Sequence, residues 1–212
     1  MSSSISGVSA AWARGVCGVV VALCAFAAHA DYVWIERNDA SAATVHAGRL
    51  DGEREALDPA RTEVRSGGAQ VEVTAEGKSL RLSGLEEGKD VRLRTHAEQG
   101  EGVLMYYQTR HGRNETTPEL DFELVPTEPG GNTFRLMWMG NPMKASHVQV
   151  VTSEGWSRVL EPAEDGSVTL TTPFPGLYVL YMSARTSGWA EVDGKRYKDV
   201  RHTATLSFNV AP

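Results

Sequence analysis

Beyond residue 31 the apolar positions recur mostly every second residue. Val71 and Val73, Leu80 and Leu82, and Val91 and Leu93 each alternate with polar neighbours, as do Leu120, Phe122, Leu124 and Phe134, Leu136, Trp138. A period of two puts the apolar side chains on one face of a strand, so each segment predicts a half-buried strand. Residues 103–107 and 177–182 are continuously apolar instead and predict strands buried on both faces. At the end of the chain, Leu206, Phe208 and Val210 predict a core face, and Thr205, Ser207 and Asn209 a face turned the other way. Turn formers separate the segments: Ser66-Gly67-Gly68, Glu76-Gly77, Glu87-Gly88, Pro129-Gly130-Gly131, Gly140-Asn141-Pro142, Asp165-Gly166, Pro175-Gly176 and Asp193-Gly194.

Many short strands with regular turns predict an all-β fold of sandwich type. The polar stretch 113–118 ends in Pro118 between two strand-rich halves. It predicts a boundary, with one β-sandwich domain over 31–116 and a second over 117–212.

The first thirty residues break the pattern. Arg14 precedes an apolar run over 15–28, which closes on Ala28-His29-Ala30 before Asp31. A charge, a short apolar core and an A-x-A site predict a secretory signal peptide over 1–30, and hence a periplasmic protein. The rival is a membrane anchor, but a spanning helix needs about 20 apolar residues. Lipidation wants small residues before the cysteine, and Val16 and Leu23 precede Cys17 and Cys24. Both cysteines lie in this leader, so the mature chain is expected to form no disulfide and no thiolate site and to depend on packing for stability.

Composition narrows the partners. With 41% hydrophobic and 23% charged residues and a formal net charge of −6, the chain shows no basic cluster suited to phosphate backbones, and no nucleic acid is expected. The basic residues of Arg92-Leu93-Arg94 and Lys195-Arg196-Tyr197-Lys198 are expected on solvated strand faces. No G-x-S-x-G elbow, H-E-x-x-H motif or phosphate-binding glycine loop occurs, and the chain is expected not to be an enzyme. The carboxylates Glu86-Glu87, Asp121 with Glu123, and Glu161 with Glu164-Asp165 are expected in turns or on wet faces.

Several stretches occur in a familiar order: Asp31-Tyr32-Val33-Trp34, Tyr106-Tyr107 through Gly112-Arg113, Leu120-Asp121-Phe122-Glu123-Leu124, Gly140-Asn141-Pro142, Gly155-Trp156, Thr172-Pro173 through Gly176-Leu177-Tyr178, and Arg201-His202 before Phe208. Together they resemble the bacterial periplasmic family called domain of unknown function 4198, over nearly the whole mature chain. The resemblance implies a transthyretin-like, or prealbumin-like, β-sandwich for 117–212. It also implies a non-enzymatic accessory or binding role in transition-metal uptake or handling, with nickel, cobalt or copper as the ion and an envelope metal transporter as partner. The alternative is a metal-free interaction module that docks such a transporter through its loops.

Candidate ligands follow from face and register. Cleavage after Ala30 removes His29, and cleavage after Ala28 would leave it as an N-terminal chelate; His46, His96, His111, His147 and His202 stay in the mature chain, none in a short-range pair. On a strand over 133–139, Met137 and Met139 share the face opposite Phe134 and Leu136. A hairpin through Gly140–Pro142 into 148–150 would bring His147 towards them, with Met143 in the connection. Thioethers with an imidazole form a soft site suited to Cu(I). Met as an adaptable core filler is the plainer reading of the same residues. Trp34, Trp156, Trp189, Tyr106 and Tyr107 are the aromatic candidates for a carbohydrate platform, with interface packing as their default role.

Overall fold

The computed structural model describes residues 31–212 except Asn38 and Glu101. The expected signal peptide, with Cys17, Cys24 and His29, lies outside the described residues. The described chain is all-β and sandwich-like, and none of its helices is long and apolar enough to cross a membrane.

A seven-stranded sheet forms the centre, in the order β13 (Ser157–Leu160), β12 (Val148–Thr152), β15 (Gly176–Thr186), β18 (Asp199–Val210), β8 (Val103–His111), β7 (Val91–Gln99), β4 (Glu63–Arg65). Strands from both sides of residue 116 share it. They meet where β18 lies parallel to β8, with His202 opposite Tyr106 and Leu206 opposite Arg110.

A five-stranded sheet covers one face. Its path is β1 (Tyr32–Arg37), β2 (Ala42–Gly48), β6 (Ser79–Ser83), β5 (Glu72–Glu76), with β3 (Arg54–Glu55) paired to β2. Val33, Ile35, Val45, Leu80 and Leu82 pack there against Leu93, Met105 and Tyr107. Tyr32 and Trp34 pack against Leu177 and Val179 of the other half. A four-stranded sheet covers part of the opposite face: β9 (Phe122–Pro126) and β14 (Ser167–Thr169) flank β10 (Thr133–Trp138), which also pairs with β11 (Asn141–Met143). Phe122, Leu124, Phe134 and Leu136 meet Tyr178, Leu180, Leu206 and Phe208 between those layers. A hairpin of β16 (Ala190–Val192) and β17 (Lys195–Tyr197) packs Tyr197 on Leu104 and Val200.

This layering explains the apolar runs. Along β15, Tyr178 and Leu180 face one covering sheet while Leu177 and Val179 face the other. It also corrects the reading of the last strand, because Thr203, Thr205 and Ser207 are fully buried. They lie under β1, an edge strand of its sheet, whose carbonyls on the side away from β2 need donors. Thr109 donates to the Val33 carbonyl (2.8 Å), and Ser207 donates to that of Ile35 (2.7 Å). Ser207 thus faces backbone rather than water, Thr203 bonds the Ser183 hydroxyl (2.7 Å), and Thr205 Oγ1 is buried with no hydrogen-bond partner.

A second correction concerns charge. Arg92 and Glu123, expected on wet faces, are buried, and so are Asp90 and Arg110 beside them. Arg110 pairs with Asp90 (Nε to Oδ2, 3.1 Å) and with Glu123 (3.0 Å), and Arg92 pairs with Glu123 (2.9 Å) and Glu115 (2.7 Å). Asp90 also accepts the backbone N–H groups of Asn114 and Glu115, and Glu123 those of Glu119 and Leu120. The polar stretch at 113–118 is therefore pinned to the central sheet by charge-assisted hydrogen bonds. Gly112 is the tight point: its φ is +107°, and an added Cβ would stand 2.2 Å from Asp90 Oδ1. Gly112→Ala is expected to lower stability by about 2 kcal/mol through backbone strain and a displaced Asp90, read from the urea unfolding midpoint.

Candidate functional site

The four-stranded sheet stops short of the ends of β7, β8 and β18, and a cleft of about 570 Å³ opens beside it. Three rings form its floor. His96 on β7 stands opposite Tyr106 on β8, which stands opposite His202 on β18, so the three occupy one row across adjacent strands. Tyr106 stacks on His202 with centroids 5.1 Å apart and rings inclined by 21°, and His96 lies 5.9 Å from Tyr106 on the other side. Side chains on a sheet stand roughly perpendicular to it. Tyr106 and His202 are stacked and so turn their edges to the cleft, while His96 is tilted by 49° against Tyr106.

Two segments form the walls. On one side is the chain entering β9, where Arg94 Nη2 donates to the Glu119 carbonyl (2.9 Å) and lies 3.7 Å from Asp121 Oδ1. On the other, Asp193 at the tip of the β16–β17 hairpin pairs with Arg61 (2.9 Å) of a 3-10 turn over Pro59–Arg61. Glu63 and Gln108 also line the cleft.

Hydrogen bonding fixes the state of His202. The Phe122 N–H donates to Gln108 Oε1 (2.7 Å), which turns the Gln108 amide nitrogen toward His202 Nδ1 (3.1 Å). Nδ1 must accept, so the proton sits on Nε2. Protonating Nδ1 would set two donors against each other. Burial adds to this and lowers the His202 pKa, while Asp121 opposes it. Trp138 meets the ring edge-on at 5.0 Å. Burial raises the Tyr106 pKa, so its hydroxyl stays neutral. His96 Nε2 is buried with no hydrogen-bond partner. The His202 assignment predicts a single Nε2–H tautomer in ¹⁵N NMR of the ring, with mixed tautomers in Gln108→Leu. A wild-type ring that already samples both would refute it.

The methionine set is distributed otherwise than the expected hairpin requires. The turn centres on Met139 and Gly140, at φ of 48° and 76°, one residue before the expected position, and β10 closes on β11 rather than on 148–150. Two positive-φ residues between paired Trp138 and Asn141 match the tight turn that twisted hairpins favour. Leu136 opposes Met143, so Met143 turns to the core face and packs against that cluster. Met137 opposes Pro142 and Glu123 and lines a groove with Val125 and Arg135 on the outer face, and Met139 is exposed. His147 precedes β12 in the central sheet and bonds Ser146 (3.1 Å). Met137, Met139, Met143 and His147 therefore occupy different faces and sheets. Among the described residues no three His, Cys, Asp or Glu side chains gather as metal ligands.

No protein-family model matches the chain, and no curated protein matches it. Distant similarity to solved structures is found, two of which illustrate it. The FN1–FN3 domains of chicken CNTN1 share 12% identity at a TM-score of 0.25, over 85% of this chain and 65% of that one. The Bacteroides ovatus mixed-linkage glucan utilization locus SGBP-B, in complex with a mixed-linkage heptasaccharide, shares 11% at 0.18, over 84% of this chain and 45% of that one. The chain thus spans less than two thirds of either, and at such scores neither similarity bears on function.

The other marked residues have structural settings. His46 bonds Ser79 (2.8 Å) and lies against Trp34, which is fully buried. Trp156 packs near Phe174 and Tyr178, and Arg196 lies over the exposed Trp189. Of the aromatic candidates, Tyr106 and Tyr107 border the cleft. The partnership of His96 and His202 has no local signal, since it depends on the parallel β8–β18 pairing. One clue is present in the chain: His202 is in phase with Leu206 and Phe208, which puts an imidazole on an apolar face.

Proposed function

We propose that the chain is a non-enzymatic periplasmic binding protein that takes a small ligand in the cleft over His96, Tyr106 and His202. The row of polar rings in register on three strands carries this reading. His202 is held as a neutral donor and Tyr106 as a neutral hydroxyl, which suits them to hold a ligand rather than to accept its protons. The cleft also falls within the size range of small-molecule sites, about 300–1,000 Å³. The periplasmic location and the transthyretin-like character of 117–212 belong to the same reading and rest on the leader and on the resemblance to the domain of unknown function 4198 family. A thermal-shift screen of a metabolite library, with each hit mapped by NMR, tests it. Hits are expected to move the His96, Tyr106 and His202 resonances, and hits that map elsewhere would refute the cleft.

The transition-metal role is the second reading. It is favoured by the unpartnered His96 Nε2 and by the same resemblance, with an envelope transporter as the receiving partner. Equilibrium dialysis against Ni(II), Co(II), Cu(II) and Cu(I) decides it. Affinity weaker than about 100 μM for all four, near −5.5 kcal/mol, removes it. Binding that survives in His96→Gln would place the ion elsewhere.

A further inference from the structure

We infer that the ligand of the cleft is an uncharged, hydroxyl-rich molecule, a short saccharide; this rests on the cleft being the binding site. Charge balance is the first ground. Two arginines and three carboxylates line the cleft, so an anion entering it meets a majority of like charge. The arginines are also engaged. Arg61 pairs with Asp193 and lies 3.6 Å from Asp58, and Arg94 faces Asp121 while donating to the Glu119 carbonyl. The same pairs occupy Asp193 and Asp121, so an organic cation would have to displace an arginine at either, which leaves it Glu63 alone among the three lining carboxylates. A ligand without charge displaces neither.

Hydrogen-bond chemistry is the second ground. The floor offers the His202 Nε2–H donor and the Tyr106 hydroxyl, which both donates and accepts, from strands about 4.8 Å apart. The walls add guanidinium donors beside carboxylate acceptors. A hydroxyl donates and accepts through a single oxygen, so it answers both kinds at one point, and a ring bearing several answers them at several points. The edges of Tyr106 and His202, backed by Trp138, supply apolar surface for the C–H groups of such a ring.

The test uses the purified chain on a glycan array that runs from mono- to hexasaccharides, a length series that separates a free sugar from the end of a longer glycan. The best glycan is then titrated by NMR beside citrate, spermidine and NiCl₂. The expected result is saccharide binding that shifts the Tyr106 and His202 ring signals. Affinity should fall at least about tenfold in His202→Phe, the cost of roughly one charge-free hydrogen bond and its packing. Tyr106→Phe, which removes only a hydroxyl, gives a second reading where His202→Phe is found unfolded by circular dichroism. Citrate or spermidine shifting those rings while every glycan stays silent would overturn the saccharide class and keep the cleft. Saccharide binding that leaves both rings unmoved and ignores both substitutions would overturn cleft and class together. Silence from every probe would overturn the class.

Discussion

Arg110→Leu is expected to cost about 3–5 kcal/mol of folding stability, the range for removing one partner from a buried ion pair. Arg110 is fully buried, and so is each carboxylate it meets. The two are not left in equal difficulty. Glu123 keeps Arg92 and two backbone N–H groups. Asp90 keeps only the backbone donors of Asn114 and Glu115, so the uncompensated charge falls there. Asp90→Asn in the Arg110→Leu background is therefore expected to restore part of the loss, whereas Glu123→Gln in that background is expected to deepen it by taking from Arg92 its one fully buried carboxylate partner, leaving it Glu115 and Glu119. Urea unfolding of Arg110→Leu, the single variants Asp90→Asn and Glu123→Gln, and the two doubles, analysed as double-mutant cycles, measures both couplings. A loss below about 1 kcal/mol for Arg110→Leu would show that water reaches the network. Because Asp90 and Glu123 also fix 114–120, the damaged variants should show faster amide exchange in that segment before the rest of the sheet opens.

How much of this was legible in the chain depends on the range of the interaction. The period-two segments and the two apolar runs name most of the core strands, because face and burial are local properties. Leu177, Tyr178, Val179 and Leu180 lie between two layers, as an unbroken apolar run requires. Failures occur where a polar side chain finds its partner far along the chain. Arg92 and Glu123 are 31 residues apart, and Ser207 reaches a carbonyl 172 residues away. An arginine or serine on an alternating strand reads as solvated unless that partner is known. The methionine hairpin failed more locally. Gly140-Asn141-Pro142 carries the composition of a turn, but with Met139 at positive φ the reversal came one residue sooner. A shift of one residue changes which side chains share a face, and it sent Met143 to the core. The cleft was the least legible part, since its row of rings exists only through the register of β18 on β8.

Lowering the pH from 7 to 4 is expected to remove about 3 kcal/mol through His111 alone. This ring is buried beneath β1, where Nδ1–H donates to the Ile35 carbonyl (2.9 Å) and lies 3.1 Å from Ser207 Oγ. Burial is the main cause of its shift and lowers the pKa to about 4. Arg37 works in the same direction, while the Ile35 hydrogen bond, Asp90 and Glu36 oppose it. In the unfolded chain the group titrates near its ordinary value of 6.5. Between those two values the unfolded state holds a proton that the native state refuses, so stability rises with pH across that window. The contribution is whole above about pH 6.5 and is lost progressively down to about pH 4, at about 1.4 kcal/mol per pKa unit. His46 and His202 are also lowered by burial and act with the same sign. The informative quantity is therefore the difference between the wild type and His111→Gln, a residue that can still donate but does not titrate. Unfolding free energies at pH 7.5, 6.5, 5.5 and 4.5 should show the wild type losing more than the variant at every step below 6.5. Parallel curves would refute the assignment, as would an NMR titration of the folded protein that places His111 near 6.5.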